Sequence, residues 1–248
     1  MDYAEWTEMS KKYKVLVISP KCSEESAEYL AALLGGEYKP AGKTTDYTDF
    51  DVVVNYGSSK EAVFPYVINT PEAVSLCVNK ISTLKRVKHG VEWTKNKEKA
   101  LSWLLNGGAV VAREFECGSR SSGTTICETV ETFEDTKAKF WTKYFPHTHE
   151  VRINVFRGEI LSVYEKVAKD GFFTFNLLEI IGEVPQVTEM IRSITNNIGI
   201  AIYGLDVLVN SAGEYRLLEV NSGAALYEDT SDKLVSLLKR EIKNHAFA

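Results

Sequence analysis

The sequence has little that would tie it to a membrane, to nucleic acid or to a disulfide framework. No run approaches the ~18 consecutive apolar residues that a membrane helix needs. The opening residues, MDYAEWTEMSKKYK, lack the basic-then-apolar order of a secretory signal. There is no basic surplus: 29 Lys and Arg stand against 34 Asp and Glu, a formal net charge of -5. Binding a phosphate backbone normally demands the reverse, so nucleic acid is not an expected partner. The four cysteines, Cys22, Cys77, Cys117 and Cys127, form no CxxC pair, which excludes a zinc knuckle or a thioredoxin-type motif built from local spacing. Free thiols fit a reducing compartment, and a cytoplasmic location is the expectation. With 6 Pro and 16 Gly in 248 residues the chain is neither collagen-like nor low in complexity. What remains, 44% hydrophobic and 25% charged residues, is the composition of a globular protein long enough for one large domain or several small ones.

Along the chain, YKVLVISP has the continuous β-branched character of a buried parallel strand, and SEESAEYLAALLGG has helical periodicity closed by Gly35 and Gly36. A second buried run, Val52 to Asn55, ends in Gly57-Ser58-Ser59, where an open α/β sheet places a ligand-facing loop; ordinary turn chemistry accounts for it equally well. Thr70-Pro71-Glu72 opens a helix with a hydroxyl cap, proline in the first turn and an acid beside it, and Lys80 is expected on that helix. Next come a short strand, a helix closed by Gly107-Gly108, a strand over 109–115, and CGSRSSGTTI. Small residues let backbone N–H groups approach an anion, so this window reads either as a phosphate cover or as a plain hairpin loop. It lacks GxxxxGK[ST], which excludes a P-loop.

The second half is dominated by hairpins. EVRINVF and LSVYEKV join at Arg157-Gly158, with an expected pairing of Arg152 to Val163 and Glu150 to Glu165. Glu150, Arg152 and Asn154 then share one face, either a ligand face or a solvated one. In YGLDVLVNSAGEYRLLEVN, pairing Asn210 with Tyr215 sets Leu208 against Leu217, Asp206 against Glu219 and Gly204 against Asn221. Two carboxylates and an amide oxygen inside such apolar strands are costly to bury unless a positive charge sits between them. Hard oxygen ligands of this kind suit Mg²⁺ or Mn²⁺ bound together with nucleotide phosphates. His147 and His149 have HxH spacing but no third ligand nearby, Cys117 and Cys127 lack an adjacent base, and Trp93, Trp103 and Trp141 read as core.

In this order the elements resemble the ATP-grasp superfamily. LEVNSGAAL looks like its metal-binding strand, and EVRINVFRGEILSVYEKVAKDGFFTFNLLEI is similar to the corresponding stretch of the glutamate ligases that extend ribosomal proteins. In size the chain is similar to compact ATP-grasp proteins of the kind encoded by tailed phages, which would place it in the host cytoplasm.

The resemblance implies an α/β N-terminal domain over 1–70, a central α+β lobe over 71–145 carrying the Gly/Ser loop, and a C-terminal α+β lobe over 146–248 carrying the metal-binding hairpin. ATP would lie between the two lobes. It implies that Lys80 contacts phosphate, and that Arg113 stands where a second lysine is usual. Ser119, Arg120, Ser121, Ser122 and Gly123 match the phosphate lid. Lys143, Tyr144 and Phe145 match the adenine-pairing hinge, with a lysine at 143 where an acid is common, and Glu150 matches a ribose partner. Arg152 would face the γ-phosphate, with Lys166 and Asn176 as further catalytic-site residues and Asp206, Glu219 and Asn221 holding two Mg²⁺ or Mn²⁺ ions. Thr174 replaces a usual arginine, and Glu179, Ile180 and Ile181 replace glycines, so substrate recognition is expected to differ. The implied activity is ATP-dependent carboxylate-amine ligation through an acyl phosphate, releasing ADP and phosphate, on small-molecule or peptide substrates. A small-molecule kinase and a nucleotide-binding module without turnover are the alternatives, and a homodimer is the base-rate expectation for assembly.

Overall fold

The computed structural model describes residues 13–42, 46–117, 123–169, 172–178 and 184–246. Three sheets organise them. The first contains β1 (Val15–Ser19), β2 (Glu37–Pro40), β3 (Val52–Asn55) and β4 (Val67–Ile68) in the order β2-β1-β3-β4, parallel throughout. β1 and β3 are buried at every position, as their β-branched runs require, and α1 (Glu24–Leu34) covers one face with Ala27, Leu30, Ala31 and Leu34. β2 gives no sequence signal, because EYKP is a half-exposed edge without alternation. The chain leaves β1 toward one edge and returns as β3 on the other side, so the crevice where parallel sheets hold ligands opens between the carboxyl ends of β1 and β3.

α2 (Pro71–Val78) starts as its sequence dictates, with the Thr70 side chain accepting from Ala73 N. Lys80 is not on it. At Asn79 the backbone turns extended (φ -91°, ψ 105°), and a separate short helix, α3 (Lys80–Arg86), begins under an Asn79 cap, with Oδ1 accepting from Ser82 N at 2.8 Å. Asparagine favours this capping role over a helix interior, because its side chain competes for nearby backbone donors. Lys80 therefore occupies the first position of α3.

The second sheet, β5 (Trp93–Thr94), β6 (Val110–Arg113), β7 (Thr124–Cys127) and β8 (Phe140–Lys143), is antiparallel in the order β5-β8-β6-β7. α4 (Lys97–Leu105) and α5 (Val130–Asp135) close it through Ala100, Leu104, Phe133 and Trp141. The third sheet is a five-stranded antiparallel one: β9 (His149–Phe156), β10 (Glu159–Lys169), β11 (Phe172–Leu178), β12 (Ile202–Val209) and β13 (Tyr215–Asn221), in the order β11-β10-β9-β12-β13. Beneath one face, α2 and α6 (Pro185–Asn197) pack Val74, Cys77, Met190 and Ile194 against Val151, Ile153, Val155, Leu205 and Val207. α7 (Glu228–Ala246) and the first sheet cover one end of the opposite face through Phe156, Ile202, Leu234 and Leu238. Among the described residues no helix is long and apolar enough to cross a membrane.

Both hairpin registers differ from expectation by one bulge each. β9 and β10 pair Arg152 with Tyr164 and Glu150 with Lys166, not with Val163 and Glu165, because an irregularity between Ile160 and Ser162 inserts Leu161. A one-residue slip exchanges the faces of every following side chain, so the bulge sends Lys166 to the Arg152 face and Glu165 to the other. In the second hairpin Asp206 pairs with Glu219 and Gly204 with Asn221 as expected. Beyond the extra residue Leu218, however, Leu208 faces Arg216 and not Leu217.

α7 is tied back to the β9–β10 turn by ion pairing. Arg157 Nε donates to Glu241 Oε2 at 2.7 Å, and Tyr66 Oη donates to Glu241 Oε1 at 2.7 Å. Burial works to raise the Glu241 carboxyl, but Arg157 and Tyr66 hold it below its ordinary 4.5. A lowered folded-state value stabilises the protein above the unfolded value and is lost as pH falls through the folded one. Glu241→Gln is therefore expected to cost about 1 kcal/mol at pH 7. The difference from wild type should shrink as pH falls below the ordinary 4.5 and vanish once the folded protein's Glu241 is itself protonated, as read by urea denaturation at several pH values.

Candidate active site

The polar face of the third sheet is assembled from strand alternation. Glu150, Arg152 and Asn154 project from β9 opposite the apolar Val151, Ile153 and Val155. β12 is buried almost throughout, and within it Asp206 is only 1% exposed. An isolated buried carboxylate is untenable, and Asp206 has company: Arg152 Nη2 donates to its Oδ2 at 2.8 Å while Arg152 Nε donates to Oδ1. Lys166 Nζ lies 3.9 Å from Asp206 and pairs with Glu150 Oε1, and Asn221 Nδ2 lies 3.5 Å from Asp206 Oδ2. Across the β12–β13 pair, Glu219 stands opposite Asp206 and receives Lys80 Nζ at 2.7 Å. Gly204 makes room for this packing: a Cβ there would lie 3.1 Å from Arg152 Cδ and 3.3 Å from Asn154 Oδ1.

The charges are close to balanced, and the imbalance is informative. Burial pushes the Asp206 carboxyl above its ordinary value against the pull of Arg152. Burial acts the same way on Glu219, but Lys80 outweighs it and holds that carboxyl low. Arg113, at the end of β6, faces the same cluster: burial lowers its guanidinium and the Glu219 charge opposes that. Its Nη1 donates to Thr124 Oγ1 at 3.0 Å, while its Nε is buried with no hydrogen-bond partner. Glu150, Asp206 and Glu219 thus answer Lys80, Arg152 and Lys166, and the Arg113 cation is in excess.

The remaining expected residues distribute as follows. Gly123, at φ 63°, closes the β6–β7 hairpin, its carbonyl accepting from Glu114 N at 2.8 Å. Ser119, Arg120, Ser121 and Ser122 lie outside the described residues. Lys143, Tyr144 and Phe145 lead from β8 toward the third sheet. The N–H groups of Lys143 and Tyr144 are committed there, to Glu92 O at 2.8 Å and Ala109 O at 2.9 Å, and Phe145 packs beside Leu84, Val91 and Leu208. Asn176 stands apart from the cluster, because it pairs with Glu165 and so shares the face opposite Lys166. His147 and His149 engage Phe145 O and Glu165, and among the described residues no group of three or more His, Cys, Asp or Glu assembles.

Sequence reasoning missed Tyr56 altogether and gave Asn154 a place on the polar face but no role. Tyr56, just after β3, donates its hydroxyl to Ala224 O, and Gly223 permits it: a Cβ at 223 would lie 3.0 Å from the Tyr56 ring. This seats the carboxyl end of the first sheet against the loop that follows β13. Asn154 is fully buried; its Oδ1 accepts from Ala225 N at 2.9 Å and its Nδ2 donates to Ser162 Oγ at 3.0 Å, fixing the same loop. The polar identity of Asn154 inside an apolar strand was the available signal; Tyr56 carried none.

Comparison with protein-family profiles and with curated proteins finds no match. Solved structures do match. D-alanyl-alanine synthetase A from Vibrio cholerae superposes with TM-score 0.68 at 14% identity, over 95% of this chain and 99% of that one. The ATP-grasp ligase PsnB, complexed with a minimal precursor, gives 0.64 at 13% identity over 94% and 99%. A RimK domain ATP-grasp protein from Sphaerobacter thermophilus gives 0.64 at 12% identity over 90% and 98%. The chain has the ATP-grasp fold. In this fold the β12–β13 hairpin, the first turn of α3 and the end of β6 bring Asp206, Glu219, Lys80 and Arg113 together from separate elements, which no single motif in the sequence announces.

Proposed function

We propose that the protein is an ATP-dependent carboxylate-amine ligase. The observation that carries this reading is the mixed cluster itself: two cross-strand carboxylates faced by four cations, one of them the incompletely paired Arg113. Such a set suits a polyphosphate bound with a divalent cation better than either alone. Asp206, Glu219 and the Asn221 amide would hold the cation; hard oxygen donors, one of them on a deeply buried acid, fit Mg²⁺. When bound, Mg²⁺ supplies neutralisation of the charge on the transferring phosphoryl group. Support also comes from the similar PsnB, whose structure holds Mg and ADP.

In the reaction, a substrate carboxylate oxygen attacks the γ-phosphorus of ATP and ADP leaves. The amine then attacks the acyl carbon, losing a proton as inorganic phosphate departs. Lys80, Arg113 and Arg152 stabilise the phosphoryl oxygens, which need charge and position more than covalent help.

Charge balance gives a prediction about binding order. Arg152 and Lys80 occupy the carboxylates, so a cation alone competes with them and a nucleotide alone meets the acids. Together each releases the partner of the other, a positive coupling on the order of 1–3 kcal/mol. Calorimetry is expected to show Mg·ATP binding at least about tenfold tighter than ATP with chelator. Turnover with hydroxylamine as the amine should yield ADP and a hydroxamate. AMP and pyrophosphate would overturn the ligase reading, a stable phosphorylated product without hydroxamate would indicate a kinase, and binding without any phosphate release a module without turnover.

A further inference from the structure

An aromatic wall stands directly beside two cations of the polar face, Arg152 and Lys166. Because Lys166 pairs with Phe175 and Ala168 with Phe173, these β11 rings project on the Lys166 face. Lys166 Nζ sits 4.3 Å above the Phe173 ring centre, and the Arg152 guanidinium carbon sits 5.9 Å from that of Phe175. Tyr227, from the loop between β13 and α7, meets Phe175 at 5.8 Å and Tyr164 at 4.7 Å between ring centres. Tyr164 is buried, its hydroxyl 3.1 Å from Thr230 Oγ1, so it anchors the wall. The outer rings are open: Phe173 is 49% exposed and Tyr227 38%. Exposed rings are costly in water, and these adjoin Arg152 and Lys166.

We infer that this wall, formed by Phe173, Phe175 and Tyr227, receives the apolar body of the acid substrate, whose carboxylate is drawn to Arg152 and Lys166. The inference rests on the ligase reading and specifies its carboxylate as one with an aryl or extended alkyl group. Charge complementarity fixes which end goes where. A guanidinium carries five N–H donors and an ammonium three, more than the acids Asp206 and Glu150 take up, so both cations retain donors for a carboxylate. The face of each ring under a cation is the negative face of its quadrupole, which keeps the cation at the boundary between the wall and the acids. A small or dianionic acid would leave the wall wet and meet Glu150.

The test uses the full chain and equilibrium binding with Mg·ADP present. The probes are 3-phenylpropanoate, propanoate and 3-phenylpropanamide, followed by saturation-transfer NMR. 3-Phenylpropanoate is expected to bind about tenfold or more tighter than either other probe, the ring and the charge each contributing on the order of 1.4 kcal/mol. Phe173→Ser with Tyr227→Ser should abolish the preference over propanoate while the protein stays folded at the assay temperature and Mg·ADP affinity stays unchanged. Equal binding of the two acids, absence of binding by both, or a preference that survives the double substitution would overturn the wall. Equal binding of the amide would overturn the carboxylate end. Mg·ADP is titrated separately: ring preference without Mg·ADP binding would sink the ligase reading and leave the wall standing, and Mg·ADP binding without ring preference does the reverse.

Discussion

Replacing Asp206 by alanine is expected to unfold the protein about 3–5 kcal/mol more easily and to abolish metal-dependent nucleotide binding. The two effects have different origins and can be separated. Arg152 is 15% exposed and gives two of its nitrogens to Asp206. Truncating the acid leaves a buried guanidinium with its charge uncompensated, which is the expensive way to break such a pair. Asp206→Asn keeps the side-chain volume and one oxygen acceptor for Arg152 but sets its NH2 against the second guanidinium donor, so only part of the stability should return. The negative charge does not return, and with it goes the strongest oxygen donor for a divalent cation. Urea denaturation of the two variants should differ clearly, whereas calorimetry with Mg·ATP should give the same answer for both. Wild-type Mg·ATP affinity and metal dependence in Asp206→Asn would remove Asp206 from the metal site and, with it, the main support for the ligase reading. Glu219→Gln offers a contrast, since its partner Lys80 is a flexible ammonium at a helix start that can re-solvate at smaller cost.

What could be read from the sequence was local and periodic. The Asp206–Glu219 and Gly204–Asn221 pairs follow from alternation on both sides of a short turn, and the helix start at Thr70-Pro71 follows from capping chemistry. Extrapolation failed wherever one residue broke the period. Leu161 and Leu218 each insert into a strand that otherwise alternates well, and a bulge has no reliable signature when the extra residue is as apolar as its neighbours. Lys166 reaches the site because of the first bulge, although regular pairing would have placed Glu165 there. Asn79 ended a helix that composition alone would have continued, and the consequence was functional, since it set Lys80 at the start of a new helix. The aromatic wall was illegible for another reason: Phe175 meets Tyr227 across 52 positions of chain, from an edge strand and a loop, and no local pattern encodes such a meeting.

Asn69→Ala is expected to be nearly as damaging as loss of Asp206, though it lies outside the charged cluster. Asn69 is 3% exposed, in the left-handed region at φ 68°, between the end of β4 and the cap of α2. Its Oδ1 accepts from Ala201 N at 2.8 Å and Ile202 N at 2.9 Å, and its Nδ2 donates to Ile202 O at 2.9 Å. One amide thus satisfies three backbone groups at the start of β12 that are too buried to turn to water. Alanine would orphan all three and also strain the backbone; at about 1–3 kcal/mol for each unsatisfied buried group, relaxation included, a total near 3–5 kcal/mol is expected. Asn69→Gly relieves the backbone and not the bonds, so it should recover only about 1 kcal/mol of that loss. A larger recovery would mean that strain, not bonding, dominates. The effect should also reach the site, because Asn69 is where the first sheet, the helix pair leading to Lys80 and the strand carrying Asp206 are joined. Asn69→Gly is therefore expected to weaken Mg·ATP binding measurably at temperatures where it is still fully folded. Wild-type affinity in that variant would show that the Lys80–Glu219 contact is set by α3 packing on β13 and not by the junction at Asn69.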